Sequence, residues 1–417
     1  MIDDDFSPEE KRLSGLLAGL HAPLSLSRAD QIDPAGIRGV RPGRAWPSRL
    51  ATALATLAVA GAIIGGYFGL RNDLPASQSN ATNWRVLSSP SGMTLDSVAC
   101  ITPDTCWGVG SAIEHYNGIQ WSVAGSIVPG ATLLGVSCVG DGACWAVGDI
   151  SGPNSSEPLI EEYAGDSWNP IAGPSDVAPT AISGELSAVT CAVAGDCWAV
   201  GTDGQEGGAP AQPLVEQYNG ASWSFVATPD IAGSAGGKLN AVACPDTNTC
   251  WSVGSAGDQP LIERYSGGVW TATTAPPTSL GSVLNSVTCV NAADCWAVGS
   301  AGAGNTLQPL VERYTGTWTV VATPPVTAPG GGELEGLACS NSDSCWAVGD
   351  LPGAGTLLGG EAAASSSSYA SPLLEQYADG RWTISSDPAL SGPGALMAIA
   401  CEATECSAVG TLTARSP

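Results

Sequence analysis

Residues 138–168 read CVGDGACWAVGDISGPNSSEPLIEEYAGDSW, and this stretch recurs down the chain. Its frame is C-x5-C-W-A-V-G, a loop, P-L-I-E-x-Y, a short turn and a tryptophan. Related copies begin at Cys100, Cys191, Cys244, Cys289 and Cys339, with a looser one at Cys401. Each copy supplies four strand-sized pieces. The first ends at the first cysteine, as in 239–244, and the second is Cys-Trp-Ala-Val-Gly, as in 295–299. The third is Pro-Leu-Ile/Val-Glu-x-Tyr, as in 309–314, and the fourth runs from a tryptophan to a proline six residues on, as in 223–229. Repeats of about 40–50 residues built from four short antiparallel strands predict propeller blades.

Counting the pieces predicts how the ring closes. The cysteine hairpins repeat from Cys100 to Cys401, but the last copy runs out at Pro417 without a fourth strand. The missing piece stands at the other end, where residues 83–90 read NWRVLSSP and carry the same Trp-x5-Pro form. This permutation predicts an all-β, seven-bladed propeller over 83–417 closed by an N-terminal strand. An open solenoid has no reason to split a repeat. Residues 411–416 are too degenerate to assign as the third strand of the last blade.

The 417 residues include 39 acids and 14 bases, for a formal charge of −25. Residues 1–49 hold seven of each, so the remaining 32 acids and seven bases put the whole imbalance on 50–417. Such a surface repels phosphate backbones and excludes nucleic acid as a partner. All 14 cysteines lie in the repeats. The expected pairs are Cys100–Cys106, Cys138–Cys144, Cys191–Cys197, Cys244–Cys250, Cys289–Cys295, Cys339–Cys345 and Cys401–Cys406. Local pairs in even number imply disulfides and an oxidising compartment. Zinc sites are disfavoured, because the pairs sit on separate repeats and the chain has only His21 and His115 to add. No metal or cofactor site is expected.

Residues 50–70, LATALATLAVAGAIIGGYFGL, contain no charge and are long enough to span a bilayer core. Arg38, Arg41, Arg44 and Arg49 precede them, so the positive-inside rule predicts a signal anchor with residues 1–49 cytoplasmic and the propeller exported. Gly61, Gly65 and Gly69 share one face of that helix and suggest a homodimer contact. Within the tail, Ser7-Pro8-Glu9-Glu10 has the form of a capping box ahead of Leu13, Leu16, Leu17 and Leu20. Residues 71–82 read as a stalk. Asn80 and Asn154 lie in N-x-S/T sequons.

Trp107, Trp145, Trp198, Trp251, Trp296 and Trp346 follow the second cysteine in nearly every copy, which predicts packing between blades. Glu114, Glu161, Glu216, Glu263, Glu312 and Glu375 recur in the third strand. They are expected to be half-buried acceptors of hydrogen bonds from a neighbouring blade. The turns at 165–168 and 220–223, Gly-Asp-Ser-Trp and Gly-Ala-Ser-Trp, resemble the end of the Asp-box hairpin of sialidase-like propellers. The repeat as a whole resembles membrane-anchored bacterial propellers of the Asp-box and kelch-like kind. That resemblance implies the propeller fold. It does not extend to activity, because Tyr163, Tyr218 and Tyr314 stand where the Asp-box aspartate belongs and no arginine cluster is evident.

Alternation of strands puts the two-to-three loops and the blade-to-blade connections on one face, where length and content vary. Variation is where recognition can be written. The candidate binding-face positions are Asp149, Glu157, Asp176, Glu185, Asp203, Glu206, Asp350 and Glu361. The expected function is an extracytoplasmic module that binds or senses a glycan, cell-wall or protein ligand. The alternatives are a structural surface protein and a glycan-acting enzyme, the last requiring convergent, non-repeated carboxylates in the axial channel.

Overall fold

The computed structural model describes residues 84–417 apart from 153–155, 175–182, 205–209, 230, 232–235, 303–305, 353–369, 388–389, 392, 412 and 416–417. The expected anchor at 50–70, the expected capping-box helix, both sequons and the Gly61/Gly65/Gly69 face lie outside the described residues. So do Asp176, Glu206 and Glu361. Among the described residues no helix is long and apolar enough to cross a membrane.

The described chain is an all-β propeller of four-stranded antiparallel blades. Six of them are cut from continuous stretches that begin with the strands Leu95–Thr102, Ala131–Val139, Gly184–Val193, Gly237–Asp246, Val283–Asn291 and Glu333–Asn341. A further four-stranded sheet is composite: Leu396–Glu402, Glu405–Gly410 and Thr413–Arg415 are completed by Arg85–Leu87 from the other end of the described chain. In it Arg85 faces Arg415, Val86 faces Ala414 and Leu87 faces Thr413. The third strand that residues 411–416 left unassigned is therefore present. It was illegible because only backbone pairing, and not a side-chain pattern, marks it. The opening strands touch one another in sequence order, and Leu396–Glu402 packs against Leu95–Thr102 to return to the start.

Each sheet is stapled near one end. The seven disulfides join the first two strands of a blade across Cα–Cα distances of 4.0–4.1 Å, with the pairing expected from spacing. The turns between third and fourth strands follow from their residues. Gly165-Asp166, Gly267-Gly268 and Asp379-Gly380 all have positive φ at both positions, the two-residue turn that matches the twist of a hairpin.

Aromatic triads join neighbouring blades. Trp251 packs on Tyr314 at 4.6 Å and edge-on against Trp318 at 5.3 Å, both from the following blade. Trp107, Trp145, Trp198 and Trp296 repeat this contact with the next Tyr and Trp. These tryptophans are thus inter-blade packing, as their repetition predicted. Two seams differ. Trp346 meets Trp84, the residue before the closing strand, edge-on at 5.5 Å, and among the described residues the buried cluster around it contains no tyrosine. At the next seam Ser407 replaces the tryptophan and lies against Cys106, beside a smaller cluster of Leu95, Val98, Tyr116, Trp121 and Val409.

Trp84 is 2% exposed, and its backbone N–H donates to Asp387 at 2.7 Å. Trp84→Ala removes the main side-chain anchor of the closing strand. It is expected to destabilise the propeller by about 3–5 kcal/mol in urea unfolding. An unchanged midpoint would mean that the strand does not hold the ring.

Candidate functional site

One cavity, of about 170 Å³, is lined by residues from the opening strands of all the blades, including the composite one. It lies on the propeller axis. Register explains what reaches it. In the blade opened by Gly237–Asp246, Leu239 pairs with Gly254 and Ala241 with Val253, leaving Asn240 as an extra residue in a β-bulge. The same shift falls at Asp96, Leu134, Ser187, Asn285, Glu335 and Met397. All of these half-buried residues line the cavity.

The neighbours of the bulge are fixed by steric contact. A Cβ on Gly254 would sit 2.0 Å from the Lys238 carbonyl, and one on Gly135 would sit 2.8 Å from Ala188 Cα in the next blade. The first contact explains the glycine of every Cys-Trp-Ala-Val-Gly strand. The second explains the small residue after the bulge, where opening strands converge on the axis. The flanks therefore repeat as Leu-x-small-Val or a close variant, while x is free. That free position is the signal the sequence carries for the site, and it lies inside a strand and not in the variable loops.

Two of the bulge amides are held in place. Asn240 Nδ2 donates to the Leu284 carbonyl at 2.9 Å, and Asn285 Nδ2 donates to the Leu334 carbonyl at 3.1 Å. At the next blade the equivalent residue is Glu335. Burial, reinforced by Glu333 and Asp350 and opposed by Lys238, pushes its carboxyl up to about 8. Burial also raises Glu333, with Asp350 adding to it, and burial alone raises Asp350 and Asp96. Carboxylate oxygens of Glu333, Glu335 and Asp350 lie within 4.8 Å of one another, the spacing a divalent ion could bridge.

Of the candidate binding-face positions, Asp149, Glu157, Glu185, Asp203 and Asp350 are among the described residues. Asp149, Glu185 and Asp350 sit where opening and second strands pair, opposite Thr132, Thr202 and Glu333. Asp203 is one residue further out, opposite Gly184. These residues and Glu157 belong to strands and not to loops, a correction to the expectation. Strand pairing simply runs further toward the variable face than the turn-forming residues suggested. Glu157 is exposed in a third strand, away from the axis, opposite Ile150.

The repeated glutamates are more buried than expected, at 0–1% exposure. Two accept from the segment entering their own blade: Glu114 from Ser89 Oγ at 2.7 Å and Ser91 N–H at 3.0 Å, and Glu161 from the Val128 backbone. The partner is thus the connecting segment and not a strand of the neighbouring blade. Among the described residues, neither oxygen of Glu263, Glu312 or Glu375 finds a hydrogen-bond partner, and burial pushes each carboxyl up to about 7.

No family model matches the chain, and no curated protein matches it. Solved propellers do. The structure described as YCF48 bound to D1 peptide aligns with a TM-score of 0.52 at 13% identity, covering 80% of this chain and 95% of that one. YCF48 from Cyanidioschyzon merolae aligns with a TM-score of 0.52 at 15% identity, covering 80% and 98%. The WD40 β-propeller domain of Doa1 gives 0.52 at 9%, covering 80% and 97%. At these identities the likeness is one of fold.

The buried glutamates set a pH dependence. An acid whose folded pKa is raised holds its proton more tightly in the folded chain, so its contribution is full below the unfolded pKa and is lost as pH rises through the folded one. For Glu263, Glu312 and Glu375 that window runs from 4.5 to about 7. The thermal midpoint should fall between pH 5 and pH 8, and the triple change to Gln should flatten the fall. A wild-type midpoint that is flat across the window would contradict their burial as neutral acids.

Proposed function

We propose that this chain is a non-catalytic binding module, a seven-bladed ring counting the composite sheet, held outside the membrane by residues 50–70. Its recognition surface is the axial mouth, and its partner is a basic segment of another protein. One observation carries this reading. The residue at the bulge varies around the ring (Asp96, Leu134, Ser187, Asn240, Asn285, Glu335 and Met397, with asparagine alone used twice), whereas the aromatic and cysteine positions around it repeat. Repetition maintains the scaffold, and the axis is where this chain departs from it. Acids at the mouth supply the charge preference. YCF48 is a propeller solved with a peptide bound, and a peptide partner suits an acidic mouth here. The uncharged anchor, the arginines before it and the disulfides together support an extracytoplasmic location.

A second reading rests on a separate observation. Asp96 and Glu335 are non-repeated acids on the axis, and Glu335 is held protonated near neutral pH. That is the feature a glycan-acting hydrolase needs in its proton donor.

Full-length protein in detergent, titrated with basic, neutral and acidic peptide pools and with a glycan array, separates these readings. Saturable binding of basic peptides is expected, weakening between 50 and 500 mM salt as a screened charge contact should. It should be lost when Asp149, Glu185, Asp203 and Asp350 are neutralised to Asn or Gln. Binding indifferent to those changes would overturn the placement at the mouth. Glycan turnover abolished by Glu335→Gln would favour the enzyme.

A further inference from the structure

We infer that the axial cavity takes the ammonium head and alkyl stem of a lysine-like cation. This deepens the reading of the mouth as a recognition surface and rests on it.

The lining is asymmetric in a way that selects the ligand. Around the ring, Ser187, Asn240, Asn285 and Glu335 form a polar arc, whereas Leu134 and Met397 flank Asp96 on the other side. The two amides are not free to choose which end they show. A backbone carbonyl only accepts, so the Asn240 and Asn285 bonds to Leu284 and Leu334 consume an N–H of each and leave each Oδ1 as an acceptor. Glu335 and Asp96 add carboxyl oxygens. The cavity therefore offers acceptors to a ligand that has only donors, which describes an ammonium group. The apolar residues discriminate further. A bare divalent ion seeks six to eight oxygens and has no use for Leu134 or Met397. An alkylammonium lays its methylenes on them and its head on the polar arc, as lysine side chains do along apolar surfaces. Lys238, the cation whose charge acts on Glu335, is exposed and forms no ion pair among the described residues. Burial has made Glu335 reluctant to ionise, so an entering cation displaces its proton and binding strengthens as pH rises toward 8.

The test is calorimetric titration of the full-length protein with n-butylammonium, n-butanol and calcium at pH 6.5 and 8. Saturable n-butylammonium binding is expected, tighter at pH 8 and accompanied by proton release, with n-butanol silent. Glu335→Gln should weaken it about tenfold or more, the scale of one charge-assisted contact, and should remove the pH dependence. Gln matches Glu in size and residue 335 is only half-buried, so the variant is expected to fold, with its thermal midpoint as the check. Asp96→Asn gives an independent second variant. Equal affinity for n-butanol, tighter calcium binding at the same residues, or n-butylammonium binding unchanged in both variants would each overturn the inference. Failure of the peptide titration with n-butylammonium binding intact would overturn the protein-partner reading alone. The converse result would overturn only the lysine-like cation.

Discussion

The structure depends on a close approach between backbones. The opening strand of each blade lies so near the second that a side chain on the glycine of Cys-Trp-Ala-Val-Gly has nowhere to go. At Gly148 an added Cβ would fall 1.9 Å from a carbonyl oxygen, and at Gly299 it would fall 2.0 Å away. The bulge beside that glycine inserts one residue that the ladder does not pair, and the insertion aims it at the axis. Scaffold and the position proposed for recognition are thereby separated within four consecutive residues: the leucine before the bulge is fully buried, the small residue after it sets how closely blades converge, and the bulge residue alone is free.

Aromatic contacts carry that arrangement around the ring. At five seams a tryptophan on one blade fits against a tyrosine and a tryptophan on the next, and at the sixth Trp346 meets Trp84 alone. Where Ser407 stands in place of the tryptophan, the seam between the composite blade and the first loses its largest side chain. Closure then falls to Trp84 and to hydrogen bonds such as those from Ser89 and Ser91 to Glu114. The segment that opens the described chain is the one that holds the ring shut.

The fold was legible because its constraints repeat. Cysteine spacing gave the staples, the tryptophans gave the blade seams, and Trp84 betrayed a strand far from its partners. Period two placed Glu263 and its equivalents on an inward face, but could not tell half burial from complete burial. That depends on how the connecting segment lies over them. The site was harder to read. Asp149, Glu185, Asp203 and Asp350 read as variable loop acids but lie at strand ends, and of them Asp350 stands beside the cavity-lining Glu335. Asp96, Asn240 and Glu335 were missed, because a strand with alternating burial gives no hint that one of its residues is unpaired until register is known.

The most direct test compares positions 239, 240 and 254 by urea unfolding and by ligand binding over a full set of substitutions. If scaffold and recognition are separated as described, every replacement of Gly254 lowers stability, by about 2 kcal/mol or more where a Cβ must be accommodated. Polar replacements of the buried Leu239 do the same. Replacements of Asn240 leave the unfolding midpoint close to the parent and change binding alone. Tolerance at Gly254, or destabilisation at Asn240 as severe as at Leu239, would contradict it.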